Sequence, residues 1–281
     1  MPEQLAVLGS PIGHSLSPRI HRAAYTVLGL DWRYSAVRCG EAGLGAFLAG
    51  RGPEWRGLSL TMPLKEEAFR LATSLDPIAR ESGVVNTLRH RDDGGWDGFN
   101  TDVAGLAHAI DAANLDAART VVLGTGATAV SAVLAARQLG ARELHVVGRR
   151  PEAAIALAQR FDGSSDMHCA GMGLSDPELR EWQPTLTIST LPGPAGTSLD
   201  LPDTLHAAPL FDVAYDPWPS PLARRHERAG GRSLPGTDML VEQAIVQIRI
   251  FSGGDPSIPL AEESAVRAAM RAATAPSSVG G

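Results

Sequence analysis

Residues 120–150 constrain this chain more than any other stretch. Thr120-Val121-Val122-Leu123 is a short apolar run of the kind a buried parallel strand uses. It leads into Gly124-Thr125-Gly126-Ala127-Thr128-Ala129, which fits G-x-G-x-x-A. An alanine-rich segment follows and stops at Gly140, a natural helix C-cap. Glu143-Leu144-His145-Val146-Val147 then reads as a second strand. Strand, glycine turn, helix and strand together make one dinucleotide-binding βαβ unit of Rossmann type. The first glycine allows the tight turn, and the second lets a pyrophosphate approach the backbone. The small third residue lets helix pack on strand, while the helix N-terminus faces the phosphates. A plain βα turn can use the same small residues, but the flanking elements favour the dinucleotide reading.

The end of the second strand bears on which cofactor. NAD binders place an Asp or Glu there, on the ribose hydroxyl. Here the residues are Gly148-Arg149-Arg150. A carboxylate would repel a 2′-phosphate, whereas a guanidinium pairs with it in bidentate fashion. NADP is therefore favoured over NAD. Two solvated surface arginines are the alternative, better suited to Arg150 than to Arg149.

The chain has 281 residues, enough for two modest domains, and a net charge of −6. That balance argues against a nucleic-acid surface. No run approaches the roughly 18 apolar residues of a spanning helix. The start, Met1-Pro2-Glu3-Gln4, lacks a basic region followed by a long apolar stretch, so no signal peptide or membrane partner is expected and the cytoplasm is the default. Cys39 and Cys169 lack metal-type spacing and read as free thiols. His14 and His21 have no carboxylate or thiol at ligand spacing and read as structural, so no metal site is expected.

Along the chain, strand and helix patterns alternate. Strands are expected over 5–9, 32–37, 58–61, 84–88 and 185–190. Ser17 followed by Pro18 suits an N-cap and first helical position, and Ile20, Ala23, Ala24, Val27 and Leu28 have helical spacing up to Gly29. Further helices are expected over 41–48 and 64–72, then around Val103, Leu106, Ala107 and Ile110. Residues 91–95 read as a turn and 191–196 as a loop. Asp238 can cap a helix running to about Phe251, and a last helix covers about 261–273. This pattern predicts an α/β chain with mainly parallel sheets. Because the dinucleotide unit starts only near residue 119, a complete α/β unit must precede it as a separate domain.

Ser15, Ser17, Thr61, Lys65, Asn86 and Asp102 lie at strand ends and loops of that first domain. Ligands of open α/β sheets collect beyond the carboxyl ends of strands. Hydroxyls, an amide, one cation and one carboxylate suit a small polyhydroxylated anion. Taken singly, each has a plainer role: Ser17 and Asp102 as caps, Thr61 as a strand end, Lys65 as a solvated helix residue.

Five blocks, in order, resemble the shikimate dehydrogenase family. They are GSPIGHSLSPRIHRAAY from Gly9, LTMPLK from Leu60, GVVNT from Gly83, GFNTD from Gly98 and GTDMLVEQA from Gly236. The resemblance covers nearly the whole chain. It implies a substrate-binding α/β domain over 1–104, completed by helices within 238–273, and a Rossmann-type NADP-binding domain over 105–237. Residues 274–281 are expected to form a disordered tail.

The resemblance further implies reversible NADPH-dependent reduction of 3-dehydroshikimate to shikimate, in aromatic amino acid biosynthesis. Lys65 and Asp102 would form the catalytic pair. Ser15, Ser17 and Tyr215 would hold the substrate carboxylate, and Thr61, Asn86, Asp102 and Gln243 its ring hydroxyls. Gly124, Thr125, Gly126, Ala127, Thr128, Arg149, Arg150 and Gly236 would hold NADP(H). The expected partner is the small-molecule substrate, for a monomer or homodimer. Chemically, hydride reaching a carbonyl carbon develops alkoxide charge on oxygen, which a nearby ammonium stabilises and can protonate.

The chain departs from the family pattern in three places. Gly124-Thr125-Gly126-Ala127-Thr128 replaces G-A-G-G-A, residues 188–196 replace N-A-T-S-x-G-M, and Gly148-Arg149-Arg150 matches N-R-T only in part. Two other readings compete: an NAD-dependent quinate/shikimate dehydrogenase, and a non-catalytic sensor of a shikimate-like ligand. Arg149 counts against the first; Lys65 together with Asp102 counts against the second.

Overall fold

A computed structural model of the protein describes residues 3–193, 199 and 201–275. The chain divides into two compact units. One runs up to Gly105 and resumes at Leu240; the other is Leu106–Met239.

The first unit contains β1 (Glu3–Gly9), α1 (Ser17–Leu28), β2 (Trp32–Arg38), α2 (Glu41–Ala49), β3 (Trp55–Leu60) and α3 (Lys65–Leu71). It continues with β4 (Ser74–Leu75), α4 (Pro77–Ser82), β5 (Thr87–His90), β6 (Trp96–Phe99) and the first turn of α5 (Asp102–Ala112). The sheet order is β2-β1-β3-β5-β6-β4. β1 runs parallel to β2 and β3, and β4 parallel to β6, while β5 is antiparallel to both its neighbours. Alternation along β1 explains the layering, since successive side chains face opposite sides of a sheet. Leu5 and Val7 join one apolar cluster, and Ala6 and Leu8 join another.

The first cluster is filled by α1 together with α11 (Thr237–Gly253) and α12 (Glu263–Thr274). Phe251 and Ile20 are fully buried there, each such side chain contributing about 2 kcal/mol. Arg249 and Arg267 on these two helices pair with Glu263, and Arg267 also with Glu242. The second cluster is filled by Leu44 and Leu48 of α2 and Ala68 of α3.

The second unit contains β7 (Arg119–Leu123), α6 (Ala127–Gln138), β8 (Glu143–Gly148), α7 (Pro151–Gln159), β9 (His168–Gly173) and α8 (Pro177–Glu181). β10 (Leu186–Ser189), α9 (Asp203–Ala207), β11 (Leu210–Asp212), α10 (Pro221–Arg228) and β12 (Ser233–Pro235) complete it. Its sheet, ordered β12-β11-β10-β7-β8-β9, is parallel throughout. Numbered from β7, this is the doubly wound 3-2-1-4-5-6 order, with its switch point beside β7. α6 is buried on nearly all sides from Ala129 to Ala136, which is why it is alanine-rich rather than amphipathic. The expected α/β class with a Rossmann-type sheet is what the chain adopts.

Local expectations needed correction at several points. Ser17 is the first helical residue of α1 rather than its cap; Leu16 holds the cap position without a side-chain bond. The backbone N–H of Ser17 instead donates to Ser15 Oγ at 3.3 Å. The strand expected over 84–88 begins only at Thr87. The residues before it leave a left-handed Gly83 (φ +70°). Val85 N–H then donates to Lys65 O and Asn86 N–H to Phe99 O. β6 was not expected, because Trp96-Asp97-Gly98-Phe99 lacks a β-branched alternation; the turn at 91–95 makes β5 and β6 a hairpin. α11 starts at Thr237, one residue before the expected Asp238 cap. α12 keeps Thr274 helical, so the tail cannot begin there, and residues 276–281 lie outside the described residues.

Candidate active site

Three chain segments of the first unit converge on Lys65. It opens α3, and its Nζ donates to Asp102 Oδ2 at 2.6 Å. The two side chains are only 11% and 7% exposed. An ammonium at a helix N-terminus has the disfavoured sign, and a carboxylate there the favoured one. The ion pair reconciles them. Breaking a buried pair of this kind costs about 3–5 kcal/mol, because one charge is left without its partner.

Asp102 opens α5, and its other oxygen accepts from Asn86 Nδ2 at 2.8 Å. The Asn86 carbonyl oxygen in turn accepts from the Thr101 backbone N–H at 2.8 Å and from Thr87 Oγ1 at 2.8 Å. Gln243 comes from α11, with its Oε1 3.4 Å from both Asn86 Nδ2 and Thr101 Oγ1. This approach needs Gly105: a Cβ there would lie 2.5 Å from Gln243 Cβ and 2.7 Å from its backbone nitrogen.

Lys65, Asn86, Asp102 and Gln243 are therefore brought together, which their spacing alone does not predict. Thr61 follows β3, and its N–H donates to Leu8 O at 2.9 Å, while Ser10 N–H reaches Met62 O at 2.9 Å. These bonds tie the loop carrying Ser15, which leads into α1 at Ser17, to the loop carrying Thr61. Ser17 is buried. Tyr34 is held well above the usual phenol range by burial, an effect that the Ser59 and Ser17 hydroxyls oppose. The buried residues whose side chains bond in a line to Asn86 were missed: Tyr34, Ser59, Thr87 and Gln247. A signal existed for two of them. Ser59 interrupts the apolar Leu58-Ser59-Leu60, and Gln247 interrupts Ile245-Val246-Gln247-Ile248, one turn after Gln243.

The cofactor residues lie in the second unit. Gly124 has φ +122°, and a Cβ there would lie 2.4 Å from Thr190 Oγ1. Gly126 caps α6 with no side-chain hydrogen bond, and a Cβ on it would meet nothing within 4 Å. The turn thus offers an open backbone and a 12-residue helix N-terminus, a setting that suits a pyrophosphate. Thr125, Ala127 and Thr128 are half-buried around it, and Arg149 and Arg150 are exposed just past β8 with no acidic residue at the strand end. These residues fit NADP. Gly236 packs against the chain before Tyr215; a Cβ would lie 2.1 Å from Val213 O. Pro194, Ala195 and Gly196 of the expected loop lie outside the described residues. Among the described residues no group of three or more His, Cys, Asp or Glu is arranged to hold a metal. No helix among them is long and apolar enough to cross a membrane.

Residues 7–88 match the family described as the shikimate dehydrogenase substrate binding domain. The NADP(+) shikimate dehydrogenase of Methanosarcina mazei is 32% identical over 279 residues, 95% of this chain and 99% of that protein. The crystal structure of Mycobacterium tuberculosis shikimate dehydrogenase superposes with a TM-score of 0.84 at 37% identity, covering 96% of this chain and 100% of the other. That of the Thermus thermophilus enzyme, in complex with NADP(H) and shikimate, gives 0.80 at 30% identity, covering 96% and 99%. With the five sequence blocks, the doubly wound sheet and the Lys65–Asp102 pair already in place, these likenesses show that the chain belongs to the shikimate dehydrogenase family.

Proposed function

We propose that this protein catalyses the reversible NADPH-dependent reduction of 3-dehydroshikimate to shikimate, a step of aromatic amino acid biosynthesis in the cytoplasm. The buried Lys65–Asp102 contact at 2.6 Å, backed by Asn86, is the observation that carries this reading. The first unit holds substrate and the second holds cofactor. Bound by the Gly124–Ala127 turn, with Thr128, Arg149, Arg150 and Gly236 nearby, NADP(H) supplies the hydride.

The remaining work falls to the chain's own side chains. Lys65 stabilises charge developing on the ring carbonyl oxygen and protonates it. Asp102 keeps the ammonium aimed, and accepts from a ring hydroxyl. Asn86, Thr61 and Gln243 bind ring hydroxyls, while Ser15, Ser17 and Tyr215 hold the carboxylate. The protein acts on a small molecule, as a monomer or homodimer, and needs no nucleic acid or membrane.

Steady-state nicotinamide absorbance tests this directly, with shikimate and quinate each offered NADP or NAD. Turnover is expected with shikimate and NADP. Lys65→Ala is expected to lower kcat about 100- to 1000-fold, as for loss of a transition-state donor. Turnover of quinate with NAD would overturn the substrate and cofactor assignment. Tight shikimate binding without turnover would make the protein a sensor.

A further inference from the structure

Behind Asn86 lies a single file of buried polar side chains running away from the site. Tyr34 OH is 2.6 Å from Ser59 Oγ, which is 2.7 Å from Gln247 Oε1. Gln247 Nε2 is 2.9 Å from Thr87 Oγ1, which is 2.8 Å from Asn86 Oδ1. All five residues are buried. They come from β2, β3, α11, the start of β5 and the residue just before it, so the file stitches three strands to a helix from the C-terminal part of the chain.

The direction of every donor follows from two fixed points. An ionised carboxylate only accepts, so Asn86 must present Nδ2 to Asp102. A backbone N–H only donates, so Thr101 fixes Oδ1 on the other side. Thr87 must therefore donate to Asn86 Oδ1, which leaves it to accept from Gln247 Nε2. Gln247 Oε1 then faces Ser59, which donates to it and accepts from Tyr34. Gln247 Nε2 also lies 3.4 Å from Asn86 O, consistent with the same orientation. Reversing any one member would leave a buried donor facing a donor, at about 1–3 kcal/mol for each unsatisfied group.

We propose that Gln247, acting with Ser59 and Thr87, is a positioning residue of the active site: through Thr87 it backs the oxygen of the Asn86 amide, which Asp102 and the Thr101 N–H orient, so that the amide is held firmly with Nδ2 on Asp102, and it sets the seat of α11 that brings Gln243 in. Gln243 and Gln247 are one turn apart and share a helix face. Locking Gln247 to Ser59 and Thr87 thus fixes the rotation and height of Gln243 above Gly105. A flipped Asn86 amide would point its oxygen at the Asp102 carboxylate and remove the bond that holds Asp102 square to Lys65. A preorganised site depends on such supporting bonds. This inference rests on the dehydrogenase reading, which makes Asn86 and Asp102 substrate-binding groups.

The test compares Gln247→Leu, Thr87→Val, Thr87→Ser and the double variant Gln247→Leu/Thr87→Val, each checked for folding by circular dichroism. Each of Gln247→Leu and Thr87→Val is expected to lower kcat/KM for shikimate about tenfold, the fold-change of one ordinary hydrogen bond, with KM for NADP unchanged. Thr87→Ser, which keeps the hydroxyl, restores the rate. The double variant falls no further than the singles, because one file has been cut twice. The Asn86 side-chain amide resonance of the ligand-free protein shifts in Gln247→Leu. Additive losses, an unmoved Asn86 resonance, or full activity in folded Gln247→Leu would overturn the proposal. A wild type that turns over nothing would instead overturn the dehydrogenase reading, and the Asn86 resonance would then judge the positioning role alone.

Discussion

In the first unit, Lys65, Asn86, Asp102 and Gln243 come from separate stretches of chain and meet in a buried place. In the second, Gly124 to Thr128 are consecutive, and the arginines past β8 are exposed. One site is assembled by the fold and each member is held by another. The other is a local backbone shape with charged side chains beside it. Removing a member of the first leaves a buried group without its partner, so stability and activity fall together. Removing a member of the second changes a surface, so binding falls alone.

The largest effect should come from Asp102→Asn. It leaves the Lys65 ammonium buried beside an amide, and unfolding in urea is expected to show a loss of about 3–5 kcal/mol. Turnover should fall about 100-fold or more with it. A loss below about 1 kcal/mol would put the pair in the class of exposed ion pairs and erase the contrast.

Gly124→Ala and Gly126→Ala separate backbone shape from open space within the cofactor turn. Gly124 has a left-handed φ and Thr190 against it, so alanine should cost about 1–3 kcal/mol. Gly126 has φ −90° and no neighbour within 4 Å, so alanine there should leave thermal stability unchanged. Shikimate affinity, measured by calorimetry without cofactor, should be untouched in both. A change in that affinity would show that the turn is not local.

Acid should weaken the first unit through His21. Its ring stacks on Tyr34, with centroids 4.0 Å apart, and its Nδ1 is 2.9 Å from Tyr25 OH. Burial pushes it down to about 3, opposed in part by the Gln247 side chain. A folded value below the unfolded one means the unfolded chain binds the extra proton. Stability is therefore full above about pH 6.5 and falls as pH drops towards 3, by about 1.4 kcal/mol per pH unit from this residue. His145 and His226 in the second unit are also lowered by burial and act with the same sign. His21→Gln should remove about one proton from the slope of urea stability against pH. An unchanged slope would mean that His21 is not the buried neutral group its packing indicates.

What could be read in the sequence divides along the same line. The turn at Gly124 was legible from residue chemistry, because its strand, glycines, helix and arginines are neighbours in the chain and each has a local reason. The Lys65 site was not. Nothing in the spacing of 65, 86, 102 and 243 puts them together, and only the likeness of whole blocks to a known family did so. The supporting file was missed entirely, since Ser59 and Gln247 lie in apolar segments where period and burial suggest core. Ser17 was misread as a cap because Ser-Pro is a good local start signal. The fold makes Ser17 the first helical residue instead, its backbone N–H on Ser15 Oγ, and Leu16 takes the cap position.

The smallest effect, and the one that sharpens the contrast most, should come from Arg149→Ala. Arg149 is exposed, so its loss should leave the melting temperature unchanged and shikimate binding intact. A guanidinium paired with a 2′-phosphate is a charge-assisted contact, and its removal should raise KM for NADP about tenfold while KM for NAD stays put. Added salt screens exposed charges, so the wild-type preference for NADP should narrow with ionic strength and that of the variant should not. Arg150→Ala provides the comparison, since it holds the N-cap position of α7 rather than the residue next to the strand end. If Arg150→Ala moves the NADP preference and Arg149→Ala does not, the phosphate contact lies one residue further along the chain. If neither moves it, the cofactor preference is set elsewhere in the turn, and the second unit is less local than its sequence suggests.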